Sequence, residues 1–538
     1  MNLITDTWIP IRRKSGTLQR IAPWQVSERF GDDPVVTFAS PRPDFDGSLA
    51  QLLVGLLQAT LAPSSPAAWR RRLGEPPTPE ELRAAFEPLA GSFELLGDGP
   101  RVFQDLTLTE DESKPSDVEK LLIDASLHGG RDHFRKGGQV EALCLPCAAS
   151  ALATLQINAP VGGRGHRASP RGGGPLTTLV RSSQSLWTTL WANVLEANTL
   201  AELPGAELDR PEDTFPWLAP TRISDQPTKT TTAADVHPLQ MYWPMPRRIR
   251  LETETADPAV ACDLCGEPAQ TVVRSYRARH HGVNYTGPWQ HPFTPLRKTR
   301  DERWIPVQMD TTGLSYRHWL GLVQNDRDLE RGPATVVLSL QDRMHGQFGE
   351  WRLWTFGYDM DNMKARGWYE GMMEIVLLSE EDKEAFEEEA SALVRAARWA
   401  DWALQAACRQ VVIKREPPGK KMQLTAVEAR FWQSTEAEFY KLLPRIPPIF
   451  ETAGEADDEP DEQAQLNALK RHWHRTLRRQ ASQIFEDWSA SGLFDAVDPE
   501  QVARAWNLLQ GNLWGPKMRE ALDLADLKTP SSDHEEAA

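Results

Sequence analysis

Four of the five cysteines fall in two pairs, Cys144-Leu-Pro-Cys147 and Cys262-Asp-Leu-Cys265. A CxxC pair folds into a tight knuckle, and two knuckles supply the four thiolates that tetrahedral zinc prefers. The 114 residues between the pairs are too many for a local finger, so a metal held by all four would pin two distant segments together. A redox role is the rival reading. A redox pair opens a helix directly after a strand, and the two pairs do not repeat that setting. Disulfides fit poorly with the cytoplasmic chain expected below, and four sulfur ligands leave no open position for catalysis. Cys408 lies on the apolar face of a long helical run and is expected in the core.

Residues 157–174, INAPVGGRGHRASPRGGG, hold six glycines and four arginines or histidines. Glycine lets backbone approach a ligand closely, and arginine seeks phosphate or carboxylate. Residues 163–168 match the GxGxxA dinucleotide pattern by letters. That pattern needs a helix to begin within it, whereas here Pro170 and three glycines follow. There is no GxxxxGK[ST] phosphate loop, no GxSxG and no dense carboxylate cluster. DMDN at 359–362 lacks the glycine and distal glutamate of a calcium loop. His472 and His474, two apart, fall on opposite sides of a helix. The absence of a catalytic constellation favours a binding or scaffold protein over a metal-dependent nucleic-acid-processing enzyme with a dispersed site.

What recurs is loops that combine Arg or Lys, Gly and an aromatic, at 131–139, 157–174, 275–292 and 357–370. Guanidinium and backbone amide groups contact phosphate and minor-groove edges, and inserted side chains unstack bases. Any one of these alone reads first as an ordinary surface loop. Two of them adjoin the cysteine pairs, and a shared metal would draw them towards one basic face.

The elements that must position these residues follow from length and pattern. A chain of 538 residues exceeds one hydrophobic core, so two or three domains are expected. Composition is that of a soluble globular protein, and the net charge of −16 excludes coating DNA by bulk attraction. Local charge differs: residues 128–183 and 274–304 each hold seven Arg or Lys against two acids. No apolar run is long enough to span a membrane, and Asp6 interrupts any leader, so a cytoplasmic location is expected. Most of the twenty tryptophans are expected in the core. Segments 3–11 and 16–23 read as a hairpin, and 48–63 and 77–93 as helices. Residues 121–375 read as an irregular mixed α/β body. A capping box at Ser379 and Asp382 opens a seven-turn helix, and further helical runs follow at 424–443, 463–489 and 499–511, resuming at 516–526. The expected fold class is α+β: a mixed α/β N-terminal domain, 1–375, with a four-cysteine zinc site, then a C-terminal four-helix bundle, 376–538.

NLITDTWIPIRR, HFRKGGQVEALCLPCAASAL, NAPVGGRG, PRGGGPLTTLV, CDLCG and WQHPFTP, in that order, resemble the CasA-type large subunit of type I-E Cascade, the CRISPR surveillance complex. The resemblance implies a non-enzymatic subunit that checks a protospacer-adjacent motif on double-stranded target DNA from the minor groove, starts strand separation, and docks a helicase–nuclease. Its other partners would be the guide-RNA-bearing backbone and small subunits. The family's glycine loop corresponds to Gly162, Gly163, Arg164 and Gly165. Its basic finger falls in SYRAR, at Arg277 with Arg279 next, where the family has a lysine. Its wedge, a glutamine in relatives, falls at Asn362, beside Met363 and Lys364, and its assembly loop at Phe134 and Lys136.

Overall fold

The helix Pro43–Leu61 is apolar on nearly every side, as a helix must be to sit in a large core. It packs against the helices Leu145–Ile157 and Leu186–Ala192. A Cβ on Gly55 would lie 2.9 Å from the Trp243 indole, so the ring rests directly on helix backbone. The computed structural model describes the chain except residues 110–112, 126–137, 164, 310–312, 345–350, 362–363, 379, 413–423, 453–461, 491–497, 526 and 528–538.

Two compact units form. The first comprises Met1–Thr311, Pro333–Met344 and Glu350–Met372; the second comprises Thr312–Gly332, His345–Gly349 and Met373–Ala538. In the first, Ile9–Arg13 pairs antiparallel with Leu18–Ile21 and Val35–Phe38, and Ile9 and Ile11 point into the core. The hairpin turns at Gly16, whose φ is 89°. Its first strand begins later than the sequence pattern suggests. The Asn2 side-chain oxygen accepts from the Ile4 and Thr5 amides, folding residues 2–5 into a turn. The helix expected from 77 is Pro79–Phe86, capped by Thr78 and Glu81, and gives way to a 3-10 turn, Glu87–Ser92, which opens on Glu87 and Pro88.

A long antiparallel hairpin, Arg248–Ala261 with Pro268–Arg279, dominates the next sheet. Its second strand also pairs with Pro115–Asp117 and Leu143–Cys144. A third sheet joins Thr177–Ser182 to Trp351–Asp361 and Lys364–Glu374.

The second unit is mainly helical. Glu380–Val412 packs against Glu462–Ala490, Pro499–Leu513 and Pro516–Leu522, and Thr425–Leu442 packs against Glu462–Ala490. Cys408 is fully buried there, as its apolar setting predicts. Ser379 of the expected capping box lies outside the described residues. Residues 312–332, which the sequence pattern assigns to the N-terminal body, cluster with these helices. Aromatic packing is the reason: Tyr316 stacks on Phe439 at 4.4 Å and its hydroxyl meets Thr435 at 2.7 Å, while Trp319 abuts Phe386. Among the described residues no helix is long and apolar enough to cross a membrane.

Candidate metal centre and nucleic-acid interface

The two cysteine pairs meet. The sulfurs of Cys144, Cys147, Cys262 and Cys265 all lie within 4.8 Å of one another. A tetrahedral zinc with bonds of about 2.3 Å spaces its sulfurs about 3.8 Å apart, and Cys144 and Cys265 stand at 3.6 Å. That separation is far too long for a disulfide of about 2.05 Å, and all five cysteines are free thiols. The donor set therefore fits a metal ion.

Each knuckle has its own support. Cys144 ends a short strand and Cys147 sits in the first turn of Leu145–Ile157, so the first pair does open a helix from a strand. The second pair occupies the hairpin tip, where Gly266, at φ 76°, donates to the Cys262 carbonyl at 2.8 Å. Asp263 joins the two by accepting from the Glu141 and Ala142 amides at 2.7 Å each. Arg20 directs its guanidinium at Cys265 from 3.6 Å, a cation suited to a thiolate. Hydrogen bonding to Cys144 and Cys262, with burial, pushes the Cys147 thiol up, while bonding to Cys144 and Cys147 holds Cys262 down.

From this cluster the helix Leu145–Ile157 and the strand Pro268–Arg279 both lead away. Thirteen helical residues extend about 20 Å. Residues 158–174 follow the helix and return to the strand's far end, where the His281 amide donates to the Gly165 carbonyl at 2.8 Å. Gly165 has φ 77°, and a Cβ there would stand 2.8 Å from the His281 ring. Gly162 and Gly163 also have positive φ, 133° and 65°.

The segment's far end turns at Ser169–Gly172 and lies against the third sheet, where a Cβ on Gly174 would be 2.7 Å from the Tyr358 carbonyl. One segment thus touches the hairpin that ends at Arg279 and the strand Trp351–Asp361. Residues 170–174, PRGGG, thereby shape the entry to the strand Thr177–Ser182.

Much of the segment's positive charge faces inward. Arg167 donates to the Ser224 hydroxyl and carbonyl, both at 2.8 Å. Arg171 is buried, bonded to Gln51 and Thr177, and burial lowers its guanidinium to about 9. The loop faces His280 and His281 rather than Arg277. Arg277 is held within the sheet by the Glu252 carboxylate and the Ser113 carbonyl, so it reaches a ligand only if those bonds are released. Arg279 ends the strand and is exposed. Lys364, also exposed, opens the strand that follows Trp351–Asp361. Asp359 of the DMDN run is buried and bonds Arg366 bidentately, at 2.8 and 2.6 Å, so it is committed to the sheet. Phe134, Lys136, Arg164, Asn362 and Met363 lie outside the described residues.

Sequence reasoning missed the contribution of Arg247 and the two adjoining histidines. Arg247 meets His166 Nδ1 at 2.7 Å and also bonds the Pro160 carbonyl. His166 and His280 meet edge to face at 4.6 Å. The Gly282 that follows His280 and His281 was the available signal, since glycine stands where backbone approaches closely, and a Cβ there would lie 2.1 Å from the Pro246 carbonyl.

The sequence model of the family described as CRISPR-associated protein Cse1 matches residues 2–484. Among solved structures the chain is similar to Thermus thermophilus CasA (Cse1), at 18% identity over 95% of this chain and 99% of that one, TM-score 0.67. It is similar to Thermobifida fusca Cse1 at 18% identity over 98% of each chain, TM-score 0.68. A chain in a structure described as a CRISPR RNA-guided surveillance complex matches at 15% identity over 96% of this chain and 99% of that one, TM-score 0.67.

Proposed function

This chain belongs to the CRISPR-associated protein Cse1 family, and from that premise we propose that it is the large, non-catalytic subunit of a type I-E Cascade. In this role it reads the protospacer-adjacent motif in duplex DNA from the minor groove and begins strand separation. Guide-RNA pairing then supplies sequence specificity. The guide-RNA-bearing backbone and small subunits are its assembly partners, and a helicase–nuclease docks on it after target binding. The helices from Glu380 onward serve as a four-helix bundle in that assembly. Zinc is the metal of the cysteine cluster and acts structurally, since four thiolates leave no position for substrate.

The observation that carries the DNA-reading role is the path of residues 157–174. Its left-handed glycines stand at the end of the Arg279 strand, and its last glycine packs on the sheet from which Lys364 emerges. One segment whose backbone can approach a groove is thus joined both to the strand end at Arg279 and to the sheet that carries Lys364. The resemblance to the family assigns the wedge to Asn362, with Met363 as the alternative, and the assembly loop to Phe134 and Lys136.

The test uses complex assembled on guide RNA with wild-type chain, Lys364→Ala or Arg279→Ala. Each cation that meets a phosphate contributes about one unit to the salt slope of duplex binding. Each variant is expected to lower the slope by about that amount. Unchanged affinity and slope in both would overturn the reading.

A further inference from the structure

Beside the glycine segment lies a cavity of about 140 Å³, bounded by Pro160, His166, Arg247, Tyr276, Ala278 and His280 among others. Two features distinguish it from a packing gap. First, Arg247 is nine-tenths buried, yet among the described residues its guanidinium bonds only His166 Nδ1 and the Pro160 carbonyl. No carboxylate pairs with it among those residues, and burial pushes it down to about 10. A buried cation without a counter-charge is costly unless an anion joins it. Second, because Arg247 donates to Nδ1, neutral His166 carries its proton on Nε2 and offers a fixed donor. Burial, then Arg247 and His280, keep His166 neutral by lowering it to about 4.

The rest of the lining combines an apolar part, Leu122, Ile123, Leu155 and Ile249, with the cations Lys120, Arg248 and Arg279. The volume is close to the roughly 150 Å³ at which an apolar cavity holds a single benzene-sized ring. It is more than a bare phosphate needs.

We propose that this cavity is a nucleotide pocket, taking one single-ring base over its apolar wall with the phosphate compensating Arg247. The inference rests on nucleic acid being the partner of this face. It adds a site that receives one unstacked nucleotide, distinct in kind from groove contacts to a duplex. The unit arrives either as a free nucleotide or as part of a separated strand.

The test is titration of the full chain with dTMP, with oligo-dT and with inorganic phosphate, followed by calorimetry. Ala278→Trp fills the cavity from its strand position, Arg247→Met removes the charge, and Arg274→Ala, which breaks only a pair with Glu254, is the control. Saturable dTMP binding is expected, at least tenfold weaker in Ala278→Trp and Arg247→Met and unchanged in Arg274→Ala. Oligo-dT that displaces dTMP assigns the pocket to a strand, and oligo-dT that fails to do so assigns it to the free nucleotide. Phosphate binding as tight as dTMP, or dTMP binding unaffected by Ala278→Trp, would overturn the proposal. Duplex recognition by the assembled complex is read in parallel. Its loss with dTMP binding intact faults the DNA-reading role alone; its retention with no saturable dTMP binding faults the pocket alone.

Discussion

A metal held by the four cysteines would tie the first unit, and its removal should loosen that unit by an amount that the chain separation sets. Cys144 and Cys265 are 121 residues apart. A cross-link closing a loop of that length removes unfolded-state entropy of about 16 cal/mol/K, or about 5 kcal/mol at room temperature, when the disulfide relation is applied to a metal clip. The native contacts that remain, chiefly Asp263 on the Glu141 and Ala142 amides, offset none of this. The assay is denaturant unfolding of wild type and Cys265→Ser, each with and without a strong chelator. Chelation should destabilise wild type by several kcal/mol, and the same chelator should do almost nothing to Cys265→Ser, because the two perturbations act on one cross-link. Amide exchange should rise first around Leu143, Cys144 and Val272, where the short strand pairs with the hairpin. Equal unfolding midpoints with and without chelator, where the chelated sample is shown to have lost its metal, would refute the reasoning.

Three further outcomes are expected. Burial raises Asp401 to about 6, and its Oδ1 finds no partner among the described residues. Its folded value lies above its unfolded one, so the folded chain keeps a proton that the unfolded chain loses between about pH 4 and 6, and the ionisation penalty is complete above that window. Asp401→Asn should therefore stabilise by up to about 3 kcal/mol at pH 8 and have little effect at pH 4, read by denaturation at both; a pH-independent effect would contradict this. Gly165→Ala, forced into positive φ against His281, should cost about 1–2 kcal/mol, whereas Gly163→Asn should be tolerated, since asparagine accepts φ near 65°; equal effects in a stability assay would count against the loop geometry. Arg171→Met strands the Gln51 oxygen in the core and should cost about 2–3 kcal/mol, and a change below about 0.5 kcal/mol, the usual scatter of surface mutations, would contradict its anchoring role.

How much of this was legible beforehand depended on the range of the signal. The cysteine pairs carry their ligand spacing within four residues, so their meeting across 121 residues of chain could be anticipated from donor chemistry alone. The helices of the second unit were legible because apolar period and proline boundaries are local, and their observed bounds differ from the pattern by only a few residues. The glycine segment was legible as a backbone that cannot form a helix, but not in the use of its arginines. Arg167 and Arg171 turn inward because Ser224, Gln51 and Thr177 wait for them, and partners up to 120 residues away leave no mark in local composition. The Arg247–His166 contact, across 81 residues, was hidden for the same reason. Residues 312–332 were misassigned because Tyr316 and Trp319 look like any core aromatics until Phe439 and Phe386 are seen beside them.

The most direct test of the account measures binding of duplexes with and without the protospacer-adjacent motif by Cascade assembled with wild-type chain or Gly163→Asp. The substitution places a carboxylate where the backbone is free to meet the groove, at a φ of 65° that aspartate can adopt. The account predicts that the variant assembles normally and loses at least tenfold in preference for the motif-bearing duplex. An assembled variant with the wild-type preference would contradict it.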